Sequence, residues 1–237
     1  MMKTGIIISI AGCGSRIGAD EPKQFRSLGD KRVIDYTLDN IFASGCFDDV
    51  ILVVRPGDRL KYENYQGKCV FVYGDLDNGQ NSRRIGLLAL KELGYEDNDL
   101  VALADGNRPL IDSWFYKKLV DDAKTYGNSL PYLIQKDIPL SYVDGVSGRM
   151  NSRYLMRESL TPPVFPFKIY LDAYQNAYDN GTLDTTEGAV SVLVDEMTRL
   201  GRNKDIHYVE GNAKYFKITT IDDLEMARLI VKGYEKN

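Results

Sequence analysis

Gly5-Ile6-Ile7-Ile8-Ser9-Ile10-Ala11-Gly12-Cys13-Gly14-Ser15-Arg16-Ile17-Gly18 is the stretch on which the fold turns, a short apolar run passing directly into a glycine loop. The run at 5–11 is too short for a membrane span and lacks the small-residue cleavage pattern of a signal peptide, so it reads as a buried first strand. Outward from it, β-rich runs recur at 50–54, 70–73 and 100–104. Apolar positions spaced by three and four, Ile34, Leu38, Ile41 and Phe42, then Ile85 and Leu88, place helices between them. Strands alternating with helices predict an α/β chain with a single doubly wound, mostly parallel sheet, whose ligand site lies outside the carboxyl ends of the strands.

Beyond a helix expected over 114–126, the pattern changes to a β run at 130–135, a turn-rich Asp144-Gly145-Val146-Ser147-Gly148, and a further run at 153–160. This predicts a protruding β-arm at about 131–160. Pro162, Pro163 and Pro166 break the chain before a helix expected over 169–180, and a last helix starts near the capping-box-like Thr220-Ile221-Asp222-Asp223. With no internal repeat, low-complexity tract or linker, residues 1–237 are expected to form one domain.

The composition narrows the chemistry. Of 237 residues, 43% are hydrophobic and 27% charged, which is globular and long enough to bury a core. There are 30 Lys and Arg against 34 Asp and Glu, so no broad cationic field exists for nucleic acid or an anionic membrane. Cys13, Cys46 and Cys69 lack CxxC spacing and the single His207 has no cysteine near it, which predicts a reducing cytoplasm and no structural metal. Histidine-based triads are excluded almost completely, leaving Lys, Arg and Asp.

The glycine loop is GxGxxxG, not the GxGxxG of a dinucleotide fold, and the second strand ends at Arg55-Pro56 without an acidic ribose ligand. No Gly-Lys-Ser/Thr follows, so it is not a P-loop. A tight strand-to-helix turn without ligand is the plain alternative. Against it stand Arg16 and Lys23, two cations in and just after the loop, as a triphosphate needs for neutralisation. The backbone of Ala11, Gly12, Cys13 and Gly14 would then approach the nucleotide.

With Pro22-Lys23-Gln24-Phe25 the segment from Gly12 resembles the signature of the family that includes methylerythritol phosphate and ribitol 5-phosphate cytidylyltransferases, G-x-G-x-R-M-G followed by P-K-Q-F/Y. The resemblance runs over nearly the whole chain. Asp105-Gly106-Asn107-Arg108-Pro109 is similar to the family's D-A/S-A/V-R-P, and Leu160-Thr161-Pro162 to its T-P-Q, with Pro163 replacing Gln. Val209-Glu210-Gly211-Asn212, Phe216-Lys217-Ile218-Thr219-Thr220 and Asp223-Leu224 match its closing segment.

The resemblance implies a Rossmann-like nucleotidyltransferase fold acting as a homodimer through the arm, with CTP and a polyol phosphate as substrates, pyrophosphate as product and Mg2+ as cofactor. It implies Arg16, Lys23 and Lys217 as catalytic cations and Ser82 as a nucleotide contact. Asp105 would contact nucleotide and acceptor and ligate Mg2+, with Arg108 beside it. Arg153, eight residues before Thr161, would hold the acceptor phosphate together with Thr185, which precedes Glu187.

The departures bear on specificity. Where relatives have G-G-x-x-R-x-x-S-V, this chain has Asp77-Asn78-Gly79-Gln80-Asn81-Ser82-Arg83, with Gly79 in the Arg position. Either Arg83 or Arg84 compensates, or nucleotide preference differs. Gly106-Asn107 replaces small apolar residues, and Ile138 stands where an arm Thr would touch the acceptor phosphate. These changes favour ribitol 5-phosphate or a similar sugar-alcohol phosphate, with methylerythritol phosphate as the alternative. Guanylyl or uridylyl transfer and a non-catalytic nucleotide-binding paralogue are the remaining rivals. The 16 tyrosines are read as packing, Cys13 as a filler, His207 as surface or ordinary packing, and Trp114 as a helix anchor.

Overall fold

The computed structural model describes residues 2–12, 21–136, 140–143, 146–150, 157–183, 185 and 188–234. Strand β1 (Thr4–Ser9) leads through the short pair β2 (Ser27–Leu28) and β3 (Lys31–Arg32) to helix α1 (Val33–Ser44) and strand β4 (Asp49–Val54). After β5 (Val70–Tyr73) and α2 (Gly79–Glu92), the chain returns to β6 (Leu100–Asp105) and α3 (Ser113–Tyr126). Next come β7 (Leu130–Ile134), β8 (Leu140–Val143), β9 (Val146–Met150), β10 (Arg157–Ser159) and β11 (Val164–Pro166). The closing elements are α4 (Phe167–Asp179), α5 (Gly188–Arg199), β12 (Tyr208–Glu210) and α6 (Ile221–Tyr234).

The main sheet has the order β11-β6-β1-β4-β5. Its β6-β1-β4-β5 pairs are parallel, and β11 is an antiparallel edge. Strand order thus runs outward from β1 to β5 and then returns past β1 to β6, so the strand order reverses between the carboxyl ends of β1 and β6, where doubly wound sheets open a crevice. Both faces of the sheet are covered. Ile6, Ile8 and Ile10 pack with Ile34 and Leu38 of α1 and Phe115 of α3, while Ile7 turns to Leu87 and Leu90 of α2, Tyr170 of α4 and Leu193 of α5. This two-residue alternation with apolar side chains on both faces explains the unbroken isoleucine run, each buried side chain contributing about 1.5–3 kcal/mol.

The first-strand, β4, β5 and β6 expectations match to within two residues, as do those for α3 and α4. The proline-rich break, by contrast, contains β11, whose Val164–Pro166 pairs with Leu100–Ala102. Proline is tolerated there because the strand lies at an edge. Helix α5 was not expected, whereas β12 lies where a strand is expected after His207; it joins β7 in parallel, with β10 antiparallel on the other side of β7. In the arm, β8 and β9 pair antiparallel. Among the described residues no helix is long and apolar enough to cross a membrane.

The tyrosine expectation fits: Tyr62, Tyr116, Tyr170, Tyr174 and Tyr215 are among the largest fully buried side chains. His207 stacks on Tyr126 with ring centroids 3.9 Å apart. Trp114 corrects its expectation, since it is exposed and the buried Phe115 beside it anchors the helix. Burial pushes the Cys69 thiol up to about 12 and raises that of Cys46, so neither is a ready nucleophile.

Candidate active site

At the crevice, Asp105 is the last residue of β6, its side chain 7% exposed. Its Oδ1 meets Arg83 Nη2 at 3.1 Å and Lys217 Nζ at 3.2 Å. Its Oδ2 meets Arg108 Nε at 3.3 Å and accepts a hydrogen bond from Thr161 Oγ1 at 3.2 Å. Burial alone would raise this carboxyl, but Lys217, then Arg83 and Arg108, hold it far below the usual carboxylate range. An ionised carboxylate therefore gathers three cations from separate segments.

Each segment is braced. Arg108 Nη1 donates to the Tyr215 carbonyl at 2.8 Å, and the Ile218 amide donates to the Asn107 carbonyl at 2.9 Å. The Asn107 side-chain amide donates back to the Ile218 carbonyl. This reciprocal pair ties the segment containing Lys217 to the turn after β6, and a polar side chain is needed there. Further along, Thr219 and Thr220 amides donate to Asp223 at 2.8 and 2.7 Å, while the Asp223 amide donates to Thr220 Oγ1 at 3.3 Å. The expected capping box thus starts α6 and anchors the Lys217 segment from its other end. At Gly106 an added Cβ would lie 2.2 Å from Ile10 Cγ2, so the turn stays close to β1 only without a side chain.

A cavity of about 270 Å³ lies against this cluster, lined in part by Ser9, Gly12, Lys23, Arg83, Asp105 and Lys217. Lys23 arrives on a 3-10 turn, Lys23–Phe25, whose buried Gln24 donates its amide to the Ile10 carbonyl at 3.2 Å. The motif thus docks onto the end of β1 through Gln24 and leaves Lys23 on the cavity wall. A wider cleft of about 740 Å³ shares Gly79 and Arg83 with it and runs along the start of α2, toward Tyr178 and Leu183. The amino end of α2, capped by Asn78 Oδ1 accepting from the Gln80 and Asn81 amides, adds the positive end of a helix dipole to this wall.

The expected site residues divide into groups. Gly12, Lys23, Asp105 and Lys217 share the cavity, Arg108 joins them through Asp105, and Ala11 is buried immediately behind. Cys13, Gly14, Arg16, Ile138, Arg153 and Glu187 lie outside the described residues. Ser82 is fully buried and its hydroxyl donates to the Asp75 carbonyl at 2.9 Å, so it shapes the loop before α2 and does not line the cavity. Thr185 is exposed, its hydroxyl donates to the Thr182 carbonyl at 3.0 Å, and it is not among the residues lining the cavity at Asp105.

Between the two candidates for the displaced arginine, Arg83 reaches Asp105, whereas Arg84 donates to Gln175 Oε1 and stacks on Tyr178 at 3.9 Å. Thr161 and Asn107 were quoted in motifs without a role, and only the fold reveals what they touch. The donor set at Asp105 does not fit a protein-held Mg2+ in this arrangement, because both carboxylate oxygens are already claimed by cations and among the described residues no group of three metal-binding side chains assembles.

Several cations converging beside Gly12 at the end of β1 suit a ligand with several phosphates, and on this parallel sheet they define an α/β nucleotidyltransferase. Comparison with known proteins gives the particular kind. Residues 4–233 match the family model of 2-C-methyl-D-erythritol 4-phosphate cytidylyltransferase, and the chain belongs to that family of CTP-dependent cytidylyltransferases. A protein of that name from Caldicellulosiruptor saccharolyticus is 31% identical over 241 residues, covering 99% of this chain and 100% of the relative. A ribitol-5-phosphate cytidylyltransferase from Lacticaseibacillus paracasei is 25% identical over 244 residues, covering 99% and 100%. The chain spans about half the length of bifunctional relatives that it also matches. In three dimensions it resembles the Francisella tularensis 2-C-methyl-D-erythritol 4-phosphate cytidylyltransferase with a TM-score of 0.79 at 23% identity, covering 96% of this chain and 99% of the other, a likeness of fold.

Proposed function

We propose that the protein transfers CMP from CTP to the phosphate of 2-C-methyl-D-erythritol 4-phosphate and releases pyrophosphate. The observation that carries this reading is the meeting of Lys23, Arg83, Asp105 and Lys217 on one cavity at the ends of β1 and β6. An acceptor phosphate oxygen attacks the α-phosphorus of CTP. The new P–O bond forms as the bond from that phosphorus to the bridging oxygen of the β-phosphate breaks, and its electron pair departs with pyrophosphate. A phosphate monoester is already anionic at neutral pH, so no histidine is required as a base. What the protein must supply is placement of two anions and stabilisation of the charge that grows between them.

In this reading Lys23 and Arg16 hold the triphosphate against the 11–14 backbone, and Lys217 serves the α-phosphate. Arg108 and Asp105 shape the acceptor side. Arg153, reaching across from a second subunit's arm in a homodimer, and Thr185 hold the acceptor's own phosphate.

The choice of acceptor reverses the order expected from the departures. The full-length relative at 31% identity carries methylerythritol phosphate in its name, against 25% for the ribitol relative. Gly106 and Asn107 also have packing roles, against Ile10 and Ile218, that require no change of acceptor. Ribitol 5-phosphate is the second reading, supported by a relative that spans this chain from end to end.

A pyrophosphate-release assay with each of the four nucleoside triphosphates and each acceptor tests both choices. Release with CTP and methylerythritol phosphate is expected. Release only with ribitol 5-phosphate selects the second reading, equal or better turnover with GTP or UTP overturns the nucleotide, and CTP binding without release across the panel makes the protein a non-catalytic nucleotide binder.

A further inference from the structure

Asp105 Oδ1 carries two cations at nearly the same distance, Arg83 Nη2 at 3.1 Å and Lys217 Nζ at 3.2 Å. The two differ in how they are held. Arg83 is 12% exposed, and its Nη1 donates to Gln80 Oε1 at 3.1 Å. Gln80 is buried and its oxygen also accepts from Tyr174 Oη at 3.1 Å, so the guanidinium is backed by both α2 and α4. Lys217 is 37% exposed and reaches Asp105 on a flexible stem from the cavity side. On Oδ2, Arg108 is fixed in the same manner as Arg83, through the Tyr215 carbonyl.

We propose that Arg83 is a positioning residue whose charge allows Lys217 to exchange its contact with Asp105 for a phosphate oxygen of the substrate. The reasoning rests on the functional reading above, in which Lys217 serves the α-phosphate. A buried carboxylate stripped of a cation pays a desolvation penalty unless another cation remains on it. Arg83 sits on the same oxygen that Lys217 must vacate, so the carboxylate stays compensated while the ammonium turns outward. Without Arg83, Lys217 is the sole cation on Oδ1 among the described residues and is held back from the reacting phosphate.

The test compares Arg83→Ala, Arg83→Gln and Arg83→Lys in steady-state turnover at saturating substrates and in CTP binding measured separately. Arg83→Ala and Arg83→Gln should lower kcat by about tenfold to a hundredfold, the scale of a catalytic group held out of place, with CTP affinity changed by less than about threefold. Arg83→Lys, which keeps the charge, should recover most of kcat. Gln retains hydrogen-bonding capacity without charge, so the Gln and Lys variants decide the matter even if the Ala variant does not fold. On an Asp105→Asn background, Arg83→Gln should cause little further loss, because no carboxylate is left to compensate. Loss of CTP affinity with kcat unchanged would make Arg83 a direct triphosphate contact and overturn the proposal. So would normal kcat in Arg83→Gln, equal loss in the Gln and Lys variants, or additive losses with Asp105→Asn. Failure of the unsubstituted protein to release pyrophosphate from CTP would instead defeat the functional reading.

Discussion

The outer face of α3 and the end of β6 use the same chemistry to opposite ends. On α3, Lys117 meets Asp121 at 2.6 Å and Lys118 meets Asp122 at 2.8 Å; at β6, Asp105 meets its three cations at 3.1 to 3.3 Å. The shorter contacts are the weaker ones. The Lys117 side chain is 59% exposed, so water and salt screen its pair and chain entropy opposes it. Asp105 is 7% exposed, so its pairs are little screened and each charge depends on the others for compensation. Ion-pair length thus says little about importance here; burial and convergence decide it.

The largest effect expected from breaking this contrast is on turnover. Lys217→Ala should lower kcat by at least two orders of magnitude, since a lost transition-state cation costs about 3–4 kcal/mol, while the fold persists. Near-normal pyrophosphate release would place the reacting phosphates elsewhere. Next comes stability, through Asp105→Asn, which leaves three cations facing one another and should destabilise the protein by about 3 kcal/mol in denaturant titrations near neutral pH.

The pH dependence of that loss follows from its sign. The folded carboxyl is depressed relative to the unfolded chain, so its stabilisation is fully present above the ordinary carboxylate value and is lost as pH falls below it toward the folded value. The difference between the unsubstituted protein and Asp105→Asn should accordingly shrink on acidification through that window. A difference constant with pH would show that Asp105 is not ionised. Asp35 and Glu196 are also depressed, so only the comparison with the variant isolates Asp105.

A smaller effect sharpens the comparison. Asn107→Ala removes the buried bond to the Ile218 carbonyl and should cost about 1–3 kcal/mol, with a fall in turnover as the Lys217 segment loosens. Equal turnover in that variant would mean the backbone bond from the Ile218 amide to the residue 107 carbonyl and the α6 cap hold the Lys217 segment without the side chain. As the control from the other region, Lys118→Ala should leave melting temperature and turnover unchanged.

The α3 pairs follow from the spacing of the expected helix, because one helix turn brings positions four apart together whatever the rest of the chain does. The isoleucine run, the alternation of strand and helix, and the Thr220–Asp223 cap were legible for the same reason, being set by periods of two and 3.6 residues. The motifs also located Lys23, Asp105, Arg108 and Lys217 as residues of one site. Ser82 and Thr185 were named by motif, but the carbonyls their hydroxyls meet, those of Asp75 and Thr182, were not legible, since a hydroxyl's direction is chosen by the nearest backbone acceptor.

Contacts across long separations had no such signal. Arg83 meets Asp105 across 22 positions and Asn107 meets Ile218 across 111, and nothing local distinguishes Arg83 from its neighbour Arg84. Local periodicity and motif order were enough to specify the parallel sheet, the family and the cations available to the site. Which cation shares an oxygen with which, and how deeply each is buried, was settled only when distant segments packed at the crevice, because burial and mutual compensation belong to the assembled site and not to any stretch of chain.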